Sequence, residues 1–159
     1  MKKLIYFAYG SNLLSRRLEG RIGHTEYLGN YKLKDYVLTF DCGGFANIQP
    51  SKGSYVDGAL YTLDPEQLSE LNRYEGLYNA EFFDYNKDTL CVVYIGKEHV
   101  VRRSKSINAL PAREYLDVIM AGAIEKRLGN LYTSVDEVKK QLPPPRIFQR
   151  TKKKKVRRR

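Results

Sequence analysis

A turn-forming stretch near the start of the chain combines residue types that can bind an anion. Tyr9-Gly10-Ser11-Asn12 follows an apolar run and precedes a helical pattern over residues 13–18. Gly10 permits a sharp turn or a close ligand approach, and Ser11 or Asn12 can cap the helix. Free N–H groups at the start of a helix, together with the helix dipole, favour negative charge there. The plain alternative is a strand, a turn and a short helix without a ligand.

A second group able to do chemistry is Glu75, which follows Arg73 and Tyr74. The pattern predicts that a helix begun at Asp64 ends here, where a carboxylate meets the negative end of the helix dipole. A position between Tyr74 and Leu77 also desolvates the carboxylate, and both effects raise its pKa. A carboxyl group that titrates nearer neutrality can both take and give a proton. The alternative is a solvated glutamate or one paired with Arg73.

The sequence gives little support for metal or thiol chemistry. His24 and His99 lie far apart and lack a carboxylate or Cys companion at ligand spacing. Cys42 and Cys91 form no Cys-x-x-Cys pair, which argues against a zinc site or a disulfide scaffold but leaves one bridge open. Cys42 lacks a nearby His, so a buried or idle thiol is favoured. We therefore expect no metal site.

These residues must be positioned by strands that mostly come in neighbouring pairs. Strand patterns cover residues 2–9, 27–33, 36–40, 46–50, 55–63, 82–86 and 89–95, with a loop at residues 51–54. Helical patterns cover residues 12–19, 65–72, 111–127 and 134–142. This order lacks the regular strand–helix alternation of a parallel α/β fold. It predicts an α+β fold with a mostly antiparallel, strongly curled sheet.

Helix boundaries are predicted from the residue types at their ends. Asp64 fits an N-cap, and Pro65 fits the first helical position that follows it. Ser134, with Glu137 three residues later, is typical of a capping box. The long helix over residues 111–127 is expected to end at Leu128-Gly129-Asn130.

Positive charge is concentrated near the C-terminal end of the sequence. Of the 28 Lys and Arg residues, nine lie within residues 146–159, where no acidic residue occurs. The other 19 face 18 acidic residues, a net charge of +1 compared with +10 for the whole chain. We expect a domain over residues 1–142 and a proline-led basic tail over residues 143–159. That tail is either merely solvated or makes weak, nonspecific contact through residues 146–159 with a polyanion such as nucleic acid or an anionic membrane. A nuclear import receptor is a further alternative if the source cell has a nucleus.

Composition is typical of one globular domain. The 159 residues are 42% hydrophobic and 12% aromatic, enough to form a core. The apolar run at the start is too short for a signal peptide or a membrane span. We therefore expect a cytoplasmic protein.

Several stretches together resemble the gamma-glutamylcyclotransferase family. Phe7-Ala8-Tyr9-Gly10-Ser11-Asn12-Leu13 looks like the family's signature. Further stretches occur in the family's order and spacing: residues 71–76, residues 46–50 leading to residues 56–61, Pro111 with Tyr115, and residues 122–125 with Leu128 and Tyr132. The match covers roughly residues 4–135, and the basic tail lies outside it.

The resemblance implies a small mixed, mostly antiparallel β-barrel flanked by helices. It implies an enzyme that releases 5-oxoproline from a gamma-glutamyl amino acid, peptide or amine, without a metal or nucleotide. In that reaction the substrate's α-amine attacks its own γ-carbonyl group, and Glu75 acts as general acid/base. The implied substrate-binding residues are Tyr6, Phe7, Ala8, Tyr9, Gly10, Ser11, Asn12 and Tyr115.

Two functions of different classes remain open. The first is this lyase, and the second is a non-catalytic module on the same fold whose basic tail contacts nucleic acid or an anionic membrane. A Glu75 side chain that points away from the loop of residues 9–11 would favour the module. Within the enzyme class, the substrate could be a gamma-glutamyl amino acid, glutathione, a gamma-glutamylamine or a gamma-glutamyl-protected biosynthetic intermediate. Oligomeric state also stays open.

Overall fold

The computed structural model describes residues 2–144 and has an α+β fold, as predicted. The elements in chain order are β1 (Lys3–Ala8), a 3₁₀ turn (Ser11–Leu13), α1 (Ser15–Ile22), β2 (Tyr27–Cys42), β3 (Phe45–Thr62), α2 (Pro65–Tyr74), β4 (Tyr78–Asn86), β5 (Thr89–Gly96), α3 (Glu98–Ser106), α4 (Arg113–Glu125) and α5 (Gly129–Lys140).

Strand β1 lies at the centre of the sheet, which explains its continuous apolar sequence. Within residues 2–144 the sheet has five strands in the order β2-β3-β1-β5-β4. β1 and β5 are parallel, and the other three pairings are antiparallel. The predicted hairpin of β4 and β5 is confirmed, although β4 begins earlier than the sequence pattern indicated.

The sheet curls strongly but does not close into a barrel. Strands β2 and β4 are its edges and share no ladder among the described residues. Their side chains nevertheless meet, because the ring of Tyr31 lies 6.3 Å from that of Phe83 and 5.6 Å from that of Tyr85. Phe7 of β1 packs edge-to-face against Tyr31 at 5.9 Å. The predicted barrel is thus an open curl, held together at its edges by aromatic side chains rather than by strand pairing.

Side chains of β1 alternate between two layers of the core. Phe7 faces the inside of the curl, where a Cβ atom added to Gly58 would lie 2.6 Å from its ring. Tyr6 faces the opposite layer and packs edge-to-face against Tyr94 at 6.0 Å. This second layer holds the cavity described below.

Strands β2 and β3 form one long hairpin that the sequence pattern divided into shorter strands. Residues 51–54 have no partners in the ladder and bulge out opposite Asp35. The Oδ1 atom of Asp35 accepts a hydrogen bond from the Gly53 N–H group at 3.0 Å. The predicted loop is therefore an interruption within a single hairpin.

One predicted helix cap is confirmed and another is wrong. Asp64 Oδ1 accepts a 2.7 Å bond from the Gln67 N–H group, and Gln67 Oε1 accepts a 3.1 Å bond from the backbone N–H group of Asp64. Ser134 instead lies inside α5, where its hydroxyl donates to Asn130 O. The chain already turns at Arg127, whose φ is 57°, so α5 begins well before Ser134. The structure also has α3, a mostly polar helix that the apolar pattern did not indicate.

No helix within residues 2–144 combines the length and apolar character that a membrane span requires. The basic residues predicted to form a tail, residues 146–159, lie outside the described part of the chain.

Candidate active site

A cavity of about 260 Å³ opens beside the C-terminal end of β1, between α1 and the end of α2. Aromatic residues are the largest group in its wall, joined by a few charged and amide side chains, as is usual for a small-molecule site. The lining residues are Tyr6, Tyr9, Gly10, Ser11, Asn12, Arg17, Arg21, Phe45, Ala46, Tyr74, Glu75, Leu77, Tyr78, Tyr94 and Tyr115.

The turn after β1 contributes one wall of the cavity but does not cap α1 as predicted. Helix α1 begins at Ser15, and no side-chain bond is made at its N-cap. Ser11 and Asn12 line the cavity instead. The N–H group of Ser15 donates to Glu125 Oε1 of α4 at 3.0 Å. The anion at this helix start is therefore a carboxylate of the protein itself, that of Glu125.

Helix α4 fixes the position of the turn by close packing. A Cβ atom added to Gly122 would lie 2.6 Å from Leu13 Cβ and 2.8 Å from Leu14 N. Only a residue without a side chain allows the helix to approach the turn this closely. The cavity wall thus depends on a glycine that is distant in sequence.

Glu75 ends α2 and directs its carboxylate into the cavity. The side chain is half-buried, and burial raises the pKa of Glu75 to about 7 although the nearby Arg21 and Arg17 guanidinium groups lower it. The direction predicted from the sequence is confirmed, with desolvation as the main cause. A carboxyl group with this pKa exchanges protons readily near neutrality.

Asn12 connects Glu75 to the turn. Its side chain is only 4% exposed, and its Nδ2 atom donates to Tyr6 Oη at 3.1 Å and, over a longer 3.4 Å, to Glu75 Oε1. Its Oδ1 atom accepts a bond from Arg21 Nη1 at 3.2 Å. Glu75 therefore faces the loop of residues 9–11 across one cavity, and does not point away from it.

Tyr115 of α4 lies on the other side of the loop. Its Oη atom accepts a bond from the Ala46 N–H group at 2.9 Å, so its own proton remains available for a second acceptor. A Cβ atom added to Gly10 would lie 3.5 Å from Tyr115 Oη. Burial raises the pKa of Tyr115 to about 12. Near neutral pH this hydroxyl is therefore a hydrogen-bond donor and not a base.

Most, but not all, of the predicted site residues meet in this cavity. Those in its wall are Tyr6, Tyr9, Gly10, Ser11, Asn12, Glu75 and Tyr115. Phe7 does not line it, because strand alternation directs its ring into the curl of the sheet. Ala8 is also absent from the lining and is buried in the β1–β3 pairing opposite Ala59.

Sequence reasoning missed two arginines in the cavity wall. Arg17 and Arg21 lie one turn apart on α1 and therefore share a face of the helix. The guanidinium group of Arg21 binds Asn12 and lies 5.1 Å from the centre of the Tyr74 ring. The spacing of four between two basic residues, directly after the loop, is the signal that could have identified them.

Within residues 2–144, no cluster of three or more His, Cys, Asp and Glu side chains could hold a metal ion. Cys42 and Cys91 are both buried and unbridged, so the one disulfide that the sequence left open does not form. Burial raises the pKa of Cys42 to about 11, which keeps this thiol protonated near neutrality.

The fold and the cavity together define a small α+β protein equipped for acid–base chemistry on a small molecule. A family model described as "Gamma-glutamyl cyclotransferase, AIG2-like" matches residues 6–116, which include the loop, Glu75 and Tyr115. The chain therefore belongs to the gamma-glutamyl cyclotransferase, AIG2-like family.

Individual relatives agree with this assignment. The protein named gamma-glutamylcyclotransferase from Bos taurus is 29% identical over 140 residues, which cover 80% of this chain and 73% of that protein. The protein of the same name from Mus musculus is 30% identical over 141 residues, which cover 80% of this chain and 74% of that protein. A solved structure described as gamma-glutamyl cyclotransferase matches with a TM-score of 0.67 at 23% identity, covering 91% of this chain and 90% of that one. That structural likeness supports the fold.

Proposed function

We propose that this protein is a gamma-glutamylcyclotransferase-like enzyme that releases 5-oxoproline from a small gamma-glutamyl compound. The observation that carries the proposal is the cavity shared by Glu75, the loop of residues 9–12 and Tyr115, in which the pKa of Glu75 is raised to about 7. The relatives named gamma-glutamylcyclotransferase support the same class of reaction.

In this proposal Glu75 carries two protons, one after the other, from the α-nitrogen of the substrate to the leaving nitrogen. Its carboxylate takes a proton from the α-ammonium group of the substrate, and the freed amine attacks the γ-carbonyl carbon. The new C–N bond closes a five-membered ring and sends an electron pair to the carbonyl oxygen. When this oxyanion collapses, the bond to the leaving nitrogen breaks, and Glu75 gives its proton to that nitrogen. The ring nitrogen still carries one proton too many, and the Glu75 carboxylate takes this second proton and passes it to the released amine. The products are 5-oxoproline and an ammonium ion, and Glu75 recovers its starting state without consumption of water.

Each catalytic contribution has a typical magnitude. General acid–base help of this kind is worth about 10²–10⁴-fold in rate. Backbone N–H groups of Gly10 and Ser11, with the Tyr115 hydroxyl, are the proposed donors to the oxyanion, and removal of one such donor typically costs about 10²–10³-fold. The enclosing aromatic side chains hold the substrate folded back on itself, which removes much of the entropic barrier to ring closure.

A substrate panel tests the reaction and its subclass. The full chain is incubated with gamma-glutamylalanine, glutathione and gamma-glutamylamines, and 5-oxoproline is quantified by mass spectrometry. Release from at least one member supports the proposal, and the member with the highest kcat/KM identifies the leaving group that the cavity prefers. Release from none of them, by a chain shown to be folded, would contradict it.

Three further properties stay predictions. They are the cytoplasmic location, the domain boundary at residue 142 and the contact of residues 146–159 with a polyanion.

A further inference from the structure

Arg17 is a charged side chain in the cavity wall for which the described residues provide neither an ion-pair partner nor a hydrogen-bond acceptor for its Nε atom. Its Nε atom is buried and lacks a hydrogen-bond partner among the described residues. None of the ion pairs formed within residues 2–144 includes its guanidinium group. Because an unmatched buried donor is costly, its presence in a cavity calls for an explanation.

The neighbouring arginines of α1 differ from Arg17 in this respect. Arg21 is engaged by Asn12 Oδ1 and by the Tyr74 ring. Arg16 is exposed to solvent and does not line the cavity. Arg17 therefore offers the cavity guanidinium donors that neither neighbour offers.

The charge balance of the cavity favours an anionic ligand. Two guanidinium groups, those of Arg17 and Arg21, accompany one carboxyl group, that of Glu75. Because the pKa of Glu75 is raised to about 7, it carries only part of a negative charge near neutrality. Burial, helped by Arg21, lowers the pKa of Arg17. Although Tyr115 and Glu75 raise that pKa, burial outweighs the effect of the acidic groups around this guanidinium.

We propose that Arg17 binds a carboxylate of the substrate. This inference rests on the proposed function, since every gamma-glutamyl substrate carries an α-carboxylate, and gamma-glutamyl amino acids and peptides carry a second carboxylate on the leaving amine. Both groups present the same planar pair of oxygens, which fits the parallel N–H donors of a guanidinium group. The two sources are distinguished by experiment.

Two matched pairs of small molecules separate the two carboxylates. gamma-Glutamylalanine and gamma-glutamylethylamine differ only in the carboxylate of the leaving amine. 5-Oxoproline and 5-oxoprolinamide differ only in the α-carboxylate, which is an amide in the second compound. Binding of all four is measured by titration calorimetry on the full chain with Glu75→Gln, which blocks turnover, in the presence and absence of Arg17→Gln.

The expected result is a selective loss of binding affinity for at least one kind of carboxylate. In at least one pair, Arg17→Gln weakens binding of the member that has the tested carboxylate by about 10- to 100-fold, and changes binding of the member that lacks it by less than about threefold. A selective loss of affinity in the first pair shows that Arg17 binds the leaving-group carboxylate. A selective loss in the second pair shows that it binds the α-carboxylate. Arg17→Lys restores part of the affinity, because it keeps the charge but not the paired donors. The matched control Arg16→Gln leaves all four affinities unchanged.

Three results overturn the proposal: equal weakening of all four ligands, no weakening of any, or no measurable binding of the carboxylates when Arg17 is present. The outcome is separable from that of the proposed function. Selective carboxylate binding through Arg17, in a chain that releases no 5-oxoproline when Glu75 is intact, would uphold the inference and reject the reaction. Release of 5-oxoproline by the wild type, together with an Arg17→Gln variant that binds the carboxylates as tightly as before, would uphold the reaction and reject the inference.

Discussion

Replacement of Glu75 by Gln is expected to stabilise the folded protein at alkaline pH. Burial raises the pKa of Glu75 from its ordinary value of 4.5 to about 7. Between these two values the folded protein retains a proton that the unfolded chain has released. The stability associated with that proton is present in full below about pH 4.5 and is lost as the pH rises through 7. Gln has nearly the same shape and stays neutral throughout.

The size of the effect follows from the pKa shift. One pKa unit corresponds to about 1.4 kcal/mol, so the shift from 4.5 to about 7 sets an upper limit of about 3 kcal/mol. The Glu75 side chain is half-buried, and solvent screening reduces this figure to about 1–2 kcal/mol. The Oε1 atom of Gln accepts the Asn12 bond equally well, so little offsets the gain.

Urea unfolding of the wild type and of Glu75→Gln at pH 4 and pH 8.5 measures this difference. We expect nearly equal free energies of unfolding at pH 4, below the ordinary pKa of 4.5, and a variant that is about 1–2 kcal/mol more stable at pH 8.5. Glu81→Gln, which removes an exposed carboxylate of β4, controls for the change in net charge. A difference in stability that does not depend on pH, or a variant less stable at pH 8.5, would refute the argument that the buried Glu75 carboxylate destabilises the folded protein.

Three other predictions concern catalysis. Since the carboxylate of Glu75 starts the reaction, kcat/KM should rise with pH through a midpoint near 7 and fall above the pKa of the substrate's α-ammonium group; a flat profile from pH 5 to 8 would disagree. Tyr115→Phe should lower kcat by about 10²–10³-fold in steady-state assays, and an unchanged kcat would remove its hydroxyl from the reaction. Gly122→Ala should displace the turn and lower kcat/KM at least tenfold, whereas Gly129→Ala, whose added Cβ meets no described atom within 4 Å, serves as the neutral control.

Features determined by neighbouring residues could be predicted from the sequence. Strand β1 is a central strand, so its apolar run is unbroken, and the turn after it follows from Gly10. The cap at Asp64 depends only on residues within the first turn of α2. The raised pKa of Glu75 was predictable in direction because a helix end and its apolar neighbours are local features.

Features that depend on distant contacts could not be predicted in this way. The N–H group of Ser15 is bonded by Glu125, and no local pattern indicates a partner so far along the chain. The curl of the sheet depends on Tyr31 meeting Phe83 across two edge strands that share no ladder among the described residues. Phe7 is a different case, since strand alternation alone predicts that it faces away from Tyr6.

The central claim is that Glu75 carries the proton in the release of 5-oxoproline. The most direct test compares the wild type and Glu75→Gln on the best substrate of the panel, with substrate affinity measured by calorimetry alongside. We expect the wild type to release 5-oxoproline and Glu75→Gln to bind the substrate with a turnover reduced by at least about 10²-fold. Normal turnover by a folded Glu75→Gln protein would contradict the account.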